Sequence, residues 1–155
     1  MTDRPLVTVV NGPNLGSLGS REPELYGSVT QEGLLGMLQE HAALRGASVE
    51  LFQSDVEGEL VSAIGSASGN SAGLVINPAA YSHYSIAIMD AMEAFQGPVV
   101  EVHITQVLAR EPFRRRLVTA RSADAVLAGA GIGSYLHAMD IVLELVDTGA
   151  SHRKD

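Results

Sequence analysis

Five short β-rich runs alternate with segments of helical period along almost the whole chain. Residues 5–11 (PLVTVVN), 48–53 (SVELFQ), 72–77 (AGLVIN), 98–104 (PVVEVHI) and, more weakly, 125–129 (AVLAG) are apolar stretches bounded by turn residues. Runs of that length and composition form buried strands. Between them lie helical patterns. One opens at Ser28, which has capping-box spacing to Gln31, carries the stripe Leu34, Leu35, Leu38 and Ala42, and stops near Gly46. Others cover 57–70, 82–95 and 133–147, the last with Tyr135, Leu136, Met139, Val142, Leu143 and Val146 on one face.

Near-continuous apolar strands separated by helices require a parallel sheet covered on both faces. Right-handed crossovers leave few topologies for five such strands. The expected fold is α/β, a flavodoxin-like doubly wound sheet of order 2-1-3-4-5, as one domain over residues 1–147 with a frayed tail at 148–155. In such sheets ligands bind beyond the carboxyl ends of the strands, near the point where the strand order reverses.

Composition narrows the function classes. No apolar run approaches the roughly 20 residues that span a bilayer, and with no charged-then-apolar stretch before a small-residue cleavage site a signal peptide is not expected. With no cysteine there is no disulfide or thiolate nucleophile, which fits a cytoplasmic protein. A formal net charge of −8 argues against general nucleic-acid binding. The positive charge is concentrated in Arg110, Arg114, Arg115, Arg116 and Arg121, which reads either as an anion site or as a solvated or subunit-facing loop. Dinucleotide, P-loop, EF-hand and zinc-protease motifs are missing, so neither a metal nor a cofactor is expected. The only lysine is Lys154, which disfavours Schiff-base chemistry.

The unusual polar residues all follow strands at the same edge of the sheet. A loop over residues 12–27, GPNLGSLGSREPELYG, follows the first strand; ordinary βα loops have roughly 2–6 residues, and long ordered ones are often functional. It carries Asn14, Arg21 and Tyr26. A free tyrosine ionises near pH 10, and neighbouring guanidinium groups favour the phenolate; Arg21 and Arg110 are candidates for that role. A packing or turn tyrosine is the alternative. His103 ends the fourth strand, with Glu101 two residues earlier on the same face, a pairing suited to an acid or base near neutral pH. A buried histidine satisfied by backbone groups is the competing reading. Asn14 and Asn77 suit a ligand, a developing oxyanion or a turn. His83 is a ligand contact or a first-turn residue, and Asp90 shares its helical face. Glu22, Glu24, Asp55, Glu57 and Glu59 read as solvated or capping residues.

The segment NGPNLGSLGSREPELYG (11–27) closely resembles the N-terminal signature of type II 3-dehydroquinate dehydratases. The likeness continues in register through FQSDVEGEL (52–60), VINPAAYSHYSIAIMDA (75–91) and VVEVHITQVLAREPFR (99–114), and more weakly through GAGIGSYLHAM (129–139). It implies the flavodoxin-like fold, commonly a dodecamer assembled from trimers, and a cofactor-free lyase that converts 3-dehydroquinate to 3-dehydroshikimate. That dehydration serves both shikimate biosynthesis and quinate breakdown. Carried over by position, Tyr26 would take the proton next to the ketone. Arg21 would support the phenolate in a closing lid, with Arg110 nearby. Asn14 would place a water that stabilises the enolate. His103, oriented by Glu101, would protonate the departing hydroxyl. Asn77, His83 and Arg114 would hold substrate hydroxyls, the Ile104–Thr105 segment the carboxylate, and Asp90 would reach a neighbouring subunit's site. The chain departs from the family pattern at Thr105-Gln106 for Ser-Asn, Leu108 for His, Arg116-Leu117 for His-Ser, Ala120-Arg121 for Ser-Pro, Ala79 for Gly and Tyr84 for Thr.

Overall fold

A strand buried on both faces must send alternate side chains into two separate cores, and β1 (Leu6–Asn11) does so. In the computed structural model, which describes residues 3–153, Val7 and Val9 enter one core and Val10 the other. The remaining strands are β2 (Ser48–Gln53), β3 (Gly73–Asn77), β4 (Val99–His103) and β5 (Ala125–Ala128). All pair in parallel, in the order β2-β1-β3-β4-β5. The expected doubly wound topology is therefore the one formed.

The helices are α1 (Pro23–Tyr26), α2 (Gln31–Leu44), α3 (Glu57–Ala67), α4 (Ile86–Ala94) and α5 (Gly133–Thr148). Leu34 and Leu38 of α2 and Tyr135, Met139 and Val142 of α5 pack on one face of the sheet. Leu60 and Ile64 of α3 and Ile88 and Met92 of α4 pack on the other. Burying a side chain of this size contributes about 1.5–3 kcal/mol, so these stripes hold the helices to the sheet. None of the helices among the described residues is long and apolar enough to cross a membrane.

Local chemistry moved several boundaries. The second helix is capped by Thr30, whose hydroxyl accepts from Gly33 N at 3.0 Å; Ser28 lies two residues too early to cap a helix that starts at Gln31. The helix expected over 82–95 divides. Residues Ala79–His83 form a tight turn, and Ser85 then caps α4 by accepting from Ile88 N at 3.0 Å. α3 stops at Ala67, and the short α1 inside the long loop has no amphipathic pattern to announce it.

At the functional edge, β1 and β3 leave the sheet in contact. Gly12 N donates to Asn77 O at 2.8 Å. A Cβ on Gly12 would stand 2.6 Å from the Pro78 carbonyl oxygen, so only glycine lets the two strand ends converge.

At the opposite edge the chain end is anchored as far as Arg153, unlike the fraying expected from Thr148. Thr148 still belongs to α5, and Gly149 ends it at φ 66°. Arg153 donates to the carbonyl oxygens of Met92, Phe95 and Gly97 at 2.7, 3.2 and 2.6 Å. Its Nε lies 3.1 Å from Asp124 Oδ2. The guanidinium thus binds three carbonyls at and just after the last turn of α4, of which Met92 O also accepts from Phe95 N at 3.2 Å. Burial works against the charge on Asp124. The Val99 and His152 amides, the Ser151 hydroxyl and Arg153 outweigh it and hold the carboxyl below its ordinary value of 3.8.

A group that binds its proton less tightly when folded stabilises the fold above its unfolded pKa and loses that contribution on acidification. Unfolding free energy should therefore fall as the pH drops below about 4, and Asp124→Asn should reduce that slope in urea melts across pH. Arg153→Ala should lower stability at neutral pH by about 1–3 kcal/mol, read from the urea midpoint.

Candidate active site

The C-terminal ends of β1, β3 and β4 surround a cleft of about 220 Å³. Tyr26 and Arg21 approach it from the first loop, Asn77 and His83 from the third, and His103, Thr105, Arg110 and Arg114 from β4 and the loop after it. Asn14 and Ile104 also line it.

The first loop is fixed at its base and open at its tip. Leu15 and Leu18 are buried in the core. Asn14 adopts a left-handed backbone, φ 67°, and its amide donates to Asp55 Oδ1 at 2.8 Å. Gln53 bridges Asp55 and the Gly12 carbonyl, donating to each at 3.1 Å. Residues 20–25 are exposed. Pro23 starts α1, as its fixed φ favours, and Tyr26 ends it half-buried.

Two cations face that tyrosine. The Arg21 guanidinium carbon lies 5.5 Å from the ring centroid and that of Arg110 5.9 Å. Arg110 Nη1 donates to the phenolic oxygen at 3.2 Å. Both geometries place positive charge where it stabilises electron density on the ring and its oxygen.

On the wall formed by β4, His103 Nε2 lies 2.9 Å from Glu101 Oε2. Glu101 is wholly buried and His103 nearly so. A carboxylate only accepts, so Nε2 carries the proton of this bond and Nδ1 is the ring nitrogen that this bond leaves free. The other Glu101 oxygen accepts from the Thr119 hydroxyl. His83 is turned by a different bond, Nδ1 to the Arg116 carbonyl at 2.9 Å. Burial pulls its pKa below 6.5, aided by the charge of Arg114 and opposed by that carbonyl. The ring is then neutral at pH 7, with Nδ1–H donated and Nε2 free to accept from a hydroxyl.

Behind the cleft, Tyr135 joins two strand ends. Its hydroxyl donates to Asn11 Oδ1 at 2.8 Å and accepts from Asn77 Nδ2 at 2.9 Å. Asn77 Oδ1 accepts in turn from the Ala79 amide at 3.1 Å. Ala79 sits at φ 52°, a left-handed conformation that costs a residue with a Cβ roughly 1–2 kcal/mol. Complete burial raises the Tyr135 pKa strongly, so this phenol stays protonated as a structural donor.

The sequence matches the family described as Dehydroquinase class II over residues 5–143. The chain belongs to that family. It is 45% identical over 150 residues to the 3-dehydroquinate dehydratase of Bartonella bacilliformis, covering 97% of this chain and 95% of that protein. The 3-dehydroquinate dehydratase of Streptomyces coelicolor is 44% identical over 146 residues, covering 94% and 93%. Among solved structures, type II dehydroquinase from Propionibacterium acnes superposes with a TM-score of 0.86 at 40% identity, over 90% of this chain and 96% of that one. The Butyrivibrio crossotus type II dehydroquinase gives 0.88 at 39% identity, over 90% and 98%. The flavodoxin-like class II dehydroquinase fold is thus established for this chain.

Set against the residues expected from sequence, two stand apart from the cleft lining. Glu101 is buried behind His103. Asp90 is exposed on α4. Of the arginine cluster, Arg110 and Arg114 line the cleft, while Arg115, Arg116 and Arg121 are exposed. Among the described residues no set of three or more His, Asp or Glu is arranged to hold a metal; Lys154 lies outside the described residues. The family departures fall unevenly. Thr105 and Ala79 line the cleft, whereas Gln106, Leu108 and Tyr84 point outward.

Three contributors escaped the sequence. Tyr135 read only as a core residue, although its hydroxyl required a buried partner. Asp55 read as solvated or capping, although it follows β2 at the functional edge. Thr119 carried no signal.

Replacing Tyr135 with Phe should leave Asn11 Oδ1 without its donor and Asn77 Nδ2 without its acceptor, and cost about 1–3 kcal/mol in urea unfolding.

Proposed function

We propose that this chain, a type II 3-dehydroquinate dehydratase, works through a tyrosinate base and a histidine acid placed on different loops of one cleft. The single observation that carries this reading is the pairing of two cations with Tyr26, in the same cleft as a histidine backed by a buried carboxylate. The Arg110 bond at 3.2 Å and the Glu101 bond at 2.9 Å set the two side chains in place.

The base needs a phenolate, and Arg21 and Arg110 stabilise that anion. It removes a proton from the carbon next to the substrate ketone, and the electron pair moves onto the carbonyl oxygen as an enolate. A water held by Asn14 donates to that oxygen. When the enolate collapses, the hydroxyl on the next carbon leaves and takes a proton from His103. The products are water and a conjugated enone, with one proton gained by Tyr26 and one lost by His103. Glu101 stabilises the imidazolium before the transfer and keeps the ring oriented. Such general acid–base steps contribute typically about 10²–10⁴-fold each.

Substrate orientation follows from the remaining lining. His83 Nε2 accepts from a substrate hydroxyl, and Asn77 retains one amide hydrogen beyond its bond to Tyr135. Arg114 donates to a second hydroxyl. The substrate carboxylate lies against the Ile104–Thr105 segment, where Thr105 keeps the hydroxyl of the family's usual serine. The exposed first loop closes over the bound molecule, excluding water and strengthening each charge interaction. Asp90 reaches the cleft of a neighbouring subunit in an oligomer of trimers, as in the family's dodecamer, so its place on an outer helix face fits a role in trans. The scheme draws on no metal, nicotinamide or lysine.

The test is the rise of ultraviolet absorbance as the enone forms from 3-dehydroquinate. Tyr26→Phe and His103→Ala should each lower kcat by about 10²-fold or more while circular dichroism stays unchanged. Turnover in Tyr26→Phe equal to the parent would eliminate the tyrosinate base. Treatment with a chelator should leave the rate unaltered, and a loss reversed by added metal would require a different scheme.

A further inference from the structure

Glu101 lies mid-sheet with no exposure and has two hydrogen-bond donors. His103 occupies one carboxylate oxygen and the Thr119 hydroxyl the other. Thr119 is itself fully buried and belongs to the short helical turn Thr119–Ser122, which precedes β5. That turn is pinned at both sides. Val118 N donates to the Ser82 carbonyl at 2.7 Å, and Asp124 N donates to the Val99 carbonyl at 2.7 Å. The hydroxyl therefore reaches Glu101 from a rigid support rather than from a mobile loop.

We propose that Thr119 is a positioning residue for the dehydration, acting through Glu101 on His103. The inference rests on the acid role given above to His103. Its physical content is a division of labour on one carboxylate. A buried carboxylate needs donors on both oxygens to remain charged and to keep one rotamer. If Thr119 did not hold Oε1, Glu101 would either rotate, loosening its bond to His103, or take up a proton and cease to favour the imidazolium. In both cases the substrate pocket keeps its lining while the acid loses its support. The expected signature is thus a fall in kcat with little change in KM, because Thr119 does not line the cleft.

Thr119→Val keeps the shape and removes the donor. It should lower kcat by about ten-fold or more, part of the roughly 10²–10⁴-fold that a positioned general acid contributes, with KM within about two-fold. Thr119→Ser keeps the donor and should retain kcat within about three-fold. Thr119→Ala removes the same donor and serves if the valine variant does not fold. In a Glu101→Gln background the valine change should cost less than about two-fold, because the path it acts through is already broken. A full ten-fold loss in that background, or an equal loss in Thr119→Ser, would mean a packing role and overturn the proposal. Parent-like kcat in Thr119→Val beside an inactive His103→Ala would overturn it alone. Activity in His103→Ala would remove the acid reading and this inference together.

Discussion

Parallel pairing of all five strands is the constraint on which the rest of this structure depends. Parallel strands need crossover helices, and the crossovers pack on both faces of the sheet. The carboxyl ends then gather at one edge, and every loop leaving them faces the same space. Tyr26, His83, His103 and Arg110 come from loops or strand ends far apart in the chain, yet they line one cleft because their strands point the same way. The reversal of strand order at β1 and β3 opens the space between the first and third loops. Gly12 permits the close approach of backbones that defines its floor.

The interior near that edge is polar in a manner that an apolar core would not require. Two buried chains of hydrogen bonds run there, Asn11–Tyr135–Asn77 and Thr119–Glu101–His103. Buried polar groups cost free energy unless satisfied, and, Asn11 Nδ2 excepted, these are satisfied mainly by one another. The first chain ties the ends of β1 and β3 to α5 and sets the start of the third loop through the Ala79 amide. The second fixes a carboxylate behind the histidine. Class II dehydroquinase chemistry needs groups held to within a fraction of an ångström, and networks with few alternative arrangements meet that need better than flexible surface loops.

The edge opposite the cleft is held by a different device. Arg153 and Asp124 bind the chain end to the last turn of α4 and the start of β4. Asp124 is also the neighbour of the turn that carries Thr119, so the clasp and the β4 wall of the cleft share a short segment of chain. Arginine suits the position because its planar fork can satisfy several carbonyls at once.

Much of this architecture was legible in the order of residues. Alternating apolar runs and helical stripes specify five strands and their crossovers, because both signals arise from periodicity along the chain. The edge on which function gathers follows from the topology, and the long first loop and the His103–Glu101 spacing marked two walls of the cleft. The helix caps were less legible, since Ser28 and Thr30 offer similar hydroxyls and only the backbone path chooses between them. Tertiary structure alone decided which side chains share a bond. Arg110 meets Tyr26 across 84 positions, and Tyr135 meets Asn11 across 124. Thr119 meets Glu101 and Arg153 meets Asp124 with no pattern to foretell them. A hydrogen bond tolerates an error of a few tenths of an ångström, and separations that fine are set by how helices seat on the sheet, which periodicity does not encode.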